Sequence, residues 1–156
     1  MPRTIVVALV ALLTAAAVLA AGCGGSSAPT VDEFGSSVVL ARDRVDFALA
    51  RITRAQSKDD LLERMDEAAV AIDDAGQELE DVGAPERFDT DLSALVAALG
   101  QLAFDVQATA DQIRQPGFSD LLAGTKGLSF ESWDAVNRAF AALDAKGIEV
   151  APLARH

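Results

Sequence analysis

The sequence predicts an all-α protein, an antiparallel up-down four-helix bundle that follows a cleaved N-terminal signal peptide. Three observations carry this. Apolar residues recur at alternating spacings of four and three over four segments between residues 32 and 146. Composition is helical in character, with abundant alanine, 5% aromatics, no tyrosine and five prolines. Most breaks between the segments are short and carry glycine or proline, which is what antiparallel neighbours joined at a 3.5-residue repeat require.

The first segment, about 32–56, places Phe34, Val38, Ala41, Val45, Ala48, Ile52 and Ala55 on one stripe. The second, 58–82, opens at Ser57, whose hydroxyl suits a helix N-cap, with Asp59 and Asp60 in the first turn where the helix dipole favours negative charge. Its stripe is Leu61, Met65, Ala68 or Ala69, Ile72, Gly76, Leu79 and Val82. Gly83-Ala84-Pro85 ends it, with Pro85 suited to the first position of the next helix.

The third segment, 86–114, carries Phe88, Leu92, Leu95, Leu99, Leu102, Val106, Thr109 and Ile113. The fourth, 130–146, carries Trp133, Val136, Phe140 and Leu143 and is the shortest. Gly147 falls where a left-handed C-terminal cap belongs, with Ile148 placed to pack back on Leu143. Small residues at Ala41, Ala48, Ala69, Gly76 and Gly100 predict close helix approach and a tight core.

The connection Pro116–Leu128 is long for a helix-to-helix loop. It contains Phe118, Leu121 and Leu122, which predicts a short helical turn closing the open end of the bundle. Phe118 in that loop and Trp133, the one tryptophan, are the aromatic candidates for contact with a partner; at a heptad position Trp133 is first of all core filler.

Ahead of the bundle stands a leader: Arg3 alone is charged, Ile5–Ala21 is apolar apart from Thr14, and the run ends Leu19-Ala20-Ala21-Gly22-Cys23-Gly24-Gly25. The apolar stretch is short and alanine-rich for a membrane span of about 20 residues, so cleavage is expected. Leu19, Ala20, Ala21, Gly22 and the single cysteine, Cys23, resemble the lipobox of bacterial lipoproteins, although the leucine lies one residue further from the cysteine than in many lipoboxes. The resemblance implies that Cys23 receives a diacylglyceryl group, that a lipoprotein signal peptidase cuts before it, and that the acylated (palmitate-type) cysteine holds the chain on the outer face of the cell membrane. Ten arginines against three lysines, with so much alanine, give the chain the style of small helical lipoproteins of high-GC Gram-positive bacteria.

The organisation expected is therefore 1–22 signal peptide, 23–31 lipidated cysteine and Gly/Ser tether, 32–148 helical bundle and 149–156 C-terminal tail. One cysteine permits no internal disulfide, so stability must come from the core.

Function is read largely by exclusion. Net charge is −11, and loss of Arg3 with the leader leaves 24 acidic against 12 basic residues, so nucleic acid is not an expected partner. The only histidine, His156, is the last residue, and no Glu-x-x-His pair is present. No catalytic residues, metal ligands or cofactor are therefore assigned. Lys126 between Gly124 and Gly127 lacks the rest of a phosphate-binding loop. Helix two carries an acidic ridge of Glu63, Asp66, Glu67 and Asp74, facing Arg42, Arg44, Arg51 and Arg54 of helix one. The expectation is a lipid-anchored, non-enzymatic interaction or structural protein of the cell envelope with a protein partner there. The alternative is an extracytoplasmic binder of a small ligand or cation serving a transporter or sensor.

Overall fold

The computed structural model describes residues 28–115 and 130–155. Helix α1, Val31–Ile52, begins at a reciprocal cap: the Thr30 hydroxyl accepts the Glu33 amide at 3.3 Å, and the Glu33 carboxylate accepts the Thr30 amide at 2.8 Å. Two of the amides that a helix start leaves without partners are satisfied in this way. The helix ends four residues before the predicted Gln56. Its last turn tightens as Arg54 and Ala55 donate to the carbonyls three residues back, and the Gln56 amide turns to Asp60 Oδ2 at 2.7 Å.

Helix α2, Lys58–Val82, is capped as predicted by Ser57, whose hydroxyl accepts the Asp60 amide at 3.1 Å. Arg64 joins the α1–α2 corner. Its Nε donates to Asp60 Oδ1 at 2.5 Å and its Nη1 to the Arg51 carbonyl at 3.0 Å, satisfying an end-of-helix acceptor of α1. Gly83, with φ +72°, turns the chain out of α2 in a conformation costly for a residue with a Cβ.

The third segment departs from the single helix predicted from Glu86. Pro85 stays extended, with φ −61° and ψ 142°; Glu86–Phe88 form one 3-10 turn, and helix α3 runs Asp89–Arg114. This turn drives Phe88 into the core, where its ring lies 5.4 Å from that of Phe34, with the Arg87 guanidinium 4.7 Å from its centroid. Helix α4, Trp133–Asp144, is shorter at both ends than predicted. Phe130 is a buried anchor ahead of it whose carbonyl accepts the Trp133 amide at 3.0 Å.

Beyond α4 the Gly147 expectation holds. Gly147 has φ +94°, its amide donates to the Asp144 carbonyl at 2.9 Å, and the Ile148 amide donates to the Leu143 carbonyl at 3.1 Å. These two bonds make a Schellman closure that carries buried Ile148 back over buried Leu143.

The described residues are all-helical in four helices, each packed on the next: α1 on α2, α2 on α3, α3 on α4. The core takes its side chains from the predicted stripes, including Val38, Val45, Met65, Ile72, Leu95, Leu99, Leu102 and Phe140. Four stripe positions differ, among them Trp133, which is only partly buried. Val82 is 42% exposed, Thr109 is half-buried while Ala110 takes the core position, and Ala55, past the end of α1, packs only at the edge. Gly76 sits against α3, where a Cβ would meet Leu99 Cβ at 3.7 Å, as close approach requires; Gly100 faces open space and makes no such contact.

Among the described residues one helical stretch, Glu86–Arg114, is long and apolar enough to cross a membrane by length and composition alone. Its Leu95, Leu99, Leu102 and Val106 are fully buried in the protein, which is how a core helix passes that test.

Candidate functional site

Cys23, the recognition residues Leu19, Ala20, Ala21 and Gly22, the Phe118 loop and the predicted closing turn of 116–128 lie outside the described residues. Trp133 is described. It opens α4, is partly buried and packs against the core, so its ring serves the fold at the junction of Phe130 and α4.

Beside it lies a part-buried polar contact. Asp105 of α3 accepts the Ser132 amide at 3.2 Å and the Gln101 side-chain amide at 2.8 Å. Burial pushes the Asp105 carboxyl up, but hydrogen bonds from Ser132 and Gln101 outweigh it and hold the group below the usual carboxylate range. Asp105 thus fastens the α4 entrance to α3. Both donors here are amides, of the Ser132 backbone and the Gln101 side chain, and the Ser132 hydroxyl is buried next to them without a hydrogen bond of its own.

The acidic ridge resolves into ion pairs at the helix rims. Glu67 meets Arg51 at 2.7 Å, Glu78 meets Arg44 at 2.7 Å, and Asp66 is gripped by Arg114 of α3 with Gln107 donating to it at 3.2 Å. Arg44 and Arg51 thus face α2 as predicted. Arg42 does not: it pairs with Asp43 at 2.8 Å and reaches the C-terminal segment. Among the described residues no three His, Cys, Asp or Glu side chains converge as a metal site. Cross-helix pairing holds Asp66 and Glu67 of the predicted ridge, and Glu78 beyond it, while Glu63 and Asp74 make no ion pair among the described residues.

Two features were not singled out from sequence. Leu40 and Phe47, 69% and 63% exposed, lie seven residues apart and so share the outer face of α1, between the Arg44 and Arg51 ion pairs and Asp43. The signal was available: both are large apolar residues off the core stripe at helical spacing. An isolated exposed apolar side chain is ordinary, whereas two on one face of an otherwise charged helix form an apolar strip suited to contact.

The second is the segment after Gly147. The sequence predicts a tail over 149–156, yet Ile148, Val150 and Leu153 are buried. Arg42 Nε and Nη2 donate to the carbonyls of Ala151 and Pro152 at 3.2 and 2.8 Å, Asn137 Oδ1 accepts the Leu153 amide at 2.8 Å, and Asp46 Oδ1 accepts the Ala154 amide at 2.7 Å. The segment is a strap tied to α1 and α4 at once. Short extended segments have no periodicity to read, so only the apolar residues at 148, 150 and 153 hinted at it. No family model, no curated protein and no solved structure matches the chain.

Proposed function

We propose that the chain is a lipid-anchored protein of the cell envelope, held by an acylated Cys23 and acting through protein contacts rather than catalysis, on a body arranged as an up-down four-helix bundle. The run Leu19–Cys23 at the end of an apolar leader is the observation that carries the anchor. The exposed pair Leu40 and Phe47 supports a contact role, since it is an apolar strip on a strongly acidic chain with no core function to explain it.

Cross-helix partners support the up-down arrangement. Arg44 with Glu78 and Arg51 with Glu67 set α1 against the direction of α2. Asp66 with Gln107, and Gly76 beside Leu99, do the same for α2 and α3. Asp105 with Ser132, and Asp91 with Lys146, do so for α3 and α4.

In-cell photocrosslinking from position 47 tests the contact role. A discrete adduct with another envelope protein is expected, lost when Leu40→Ser is added while the melting temperature stays within about 2 °C, as surface changes permit. Absence of any adduct above the level seen from an exposed polar position such as Gln77 would remove the α1 face as the contact surface.

A further inference from the structure

The strap differs from the rest of the core in how it is held. Its polar ties are side chains of α1 and α4 that bind strap backbone: Arg42 to two successive carbonyls, Asn137 and Asp46 to two successive amides. Such ties read an extended backbone and not a particular sequence. Specificity rests on Ile148, Val150 and Leu153, buried at positions i, i+2 and i+5. Gly35 lets Ile148 lie close on α1, with Ile148 Cδ1 3.6 Å from where a Cβ would be.

The strap runs in the direction of α1, from Gly35 past Arg42 to Asp46. It fills the seam between α1 and α4, two helices that are not among the closely packed pairs. From Gly147 to Arg155 it carries one acidic and one basic residue, so it is electrically neutral on a chain of net charge −11.

We propose that this seam is a peptide-reading groove, closed at rest by the chain's own strap, and that its partner is an extended, near-neutral segment of another protein with apolar residues at i, i+2 and i+5. The seated strap is the template for that chemistry. Opening releases the four side-chain-to-backbone bonds, the bond from the Ile148 amide to the Leu143 carbonyl and three buried apolar side chains, while the bonds within each helix remain. The glycine at 147 supplies the joint about which the strap leaves. This inference does not depend on the lipid anchor, because every residue in it belongs to the folded body.

The probe is a fluorescein-labelled peptide with the sequence of Gly147–Arg155, titrated onto the full chain and followed by anisotropy. The intact strap competes as a tethered ligand at an effective concentration of the order of mM, so the unaltered chain should bind at least ~10-fold more weakly than Leu153→Asp, whose strap is loosened. Adding Arg42→Lys, which keeps the charge but loses the two-carbonyl fork, should cost the loosened chain ~5-fold or more in affinity. A peptide with aspartate at the three apolar positions should not bind. Should Leu153→Asp lose helicity, Val150→Ser replaces it under the same criteria.

Equal affinity of the unaltered and loosened chains, absence of saturable binding to either loosened chain, or indifference to Arg42→Lys would overturn the proposal. So would a strap-exchanged dimer of the unaltered chain at the titration concentration, since the groove would then serve a second copy.

Discussion

At Gly147 the backbone adopts φ +94°, closes α4 through two hydrogen bonds and sends Ile148 back to the core. Alanine there meets the left-handed penalty of about 1–2 kcal/mol, so Gly147→Ala should lower the melting temperature by roughly 2–8 °C, measured by circular dichroism. Thr30→Ala removes the hydroxyl half of the capping box and should cost about 1 kcal/mol. Acid stability is set by carboxylates held below their ordinary values. Asp60 is lowered by Arg64 and by the Gln56 amide, Glu33 by Thr30, and Asp105 by its hydrogen bonds against the opposing push of burial. A folded-state value below the unfolded one stabilises above the unfolded value and loses that contribution as pH falls through the folded one. For Asp105 the loss begins near its ordinary 3.8 and continues downward. Asp105→Asn should therefore change urea midpoints at pH 6–7 more than at pH 2–3. Taking the difference between variant and parent matters, because acid also turns the net charge of the chain from −11 to strongly positive. Gly147, Gly83 and Ser57 were legible in sequence because each residue type has one dominant use at a helix end. Arg42 was not, since an arginine on a rim faces either neighbour equally well in a sequence.

Helix by helix, the packing explains both the success and the failure of the periodic reading. Leu99 is fully buried beside Gly76, where α2 lies close on α3. Leu99→Ala should cost about 2–5 kcal/mol with the cavity it leaves, a loss read directly in urea unfolding. The rim pairs act on a smaller scale. A double-mutant cycle on Arg51 and Glu67, both about half exposed, should give roughly 0.2–1 kcal/mol, falling further with added salt. Thr109 shows where the pattern was ambiguous: Val106 to Ile113 can be bridged through 109 or 110 with equal fit to a heptad. Thr109 bonds the Asp105 carbonyl at 2.7 Å and stays half-buried, leaving Ala110 to the core. The early end of α1 had no sequence marker, because it arises from Asp60 and Arg64 of the following helix acting on its last turn.

For the whole molecule, charge and anchor point the same way. A chain with 24 acidic against 13 basic residues repels anionic lipid and nucleic acid alike, so in the proposed reading attachment to a membrane falls to acyl chains on Cys23. At about 0.8 kcal/mol per buried methylene, two or more chains hold stably where one does not. Cys23→Ala should therefore abolish lipid modification and leave the helical content and melting temperature of the folded body unchanged, since Cys23 lies seven positions before the N-cap residue of α1, Thr30. The helical class was legible from periodicity alone, while the contact surfaces were not: the Leu40–Phe47 strip and the strap both lie off the stripes that periodicity selects. The most direct test of the anchored reading is the intact mass of the mature protein extracted from bacterial membranes. The account predicts a chain beginning at Cys23 and carrying a thioether-linked diacylglyceryl group; a mature chain that begins elsewhere, or a Cys23 with a free thiol, would contradict it.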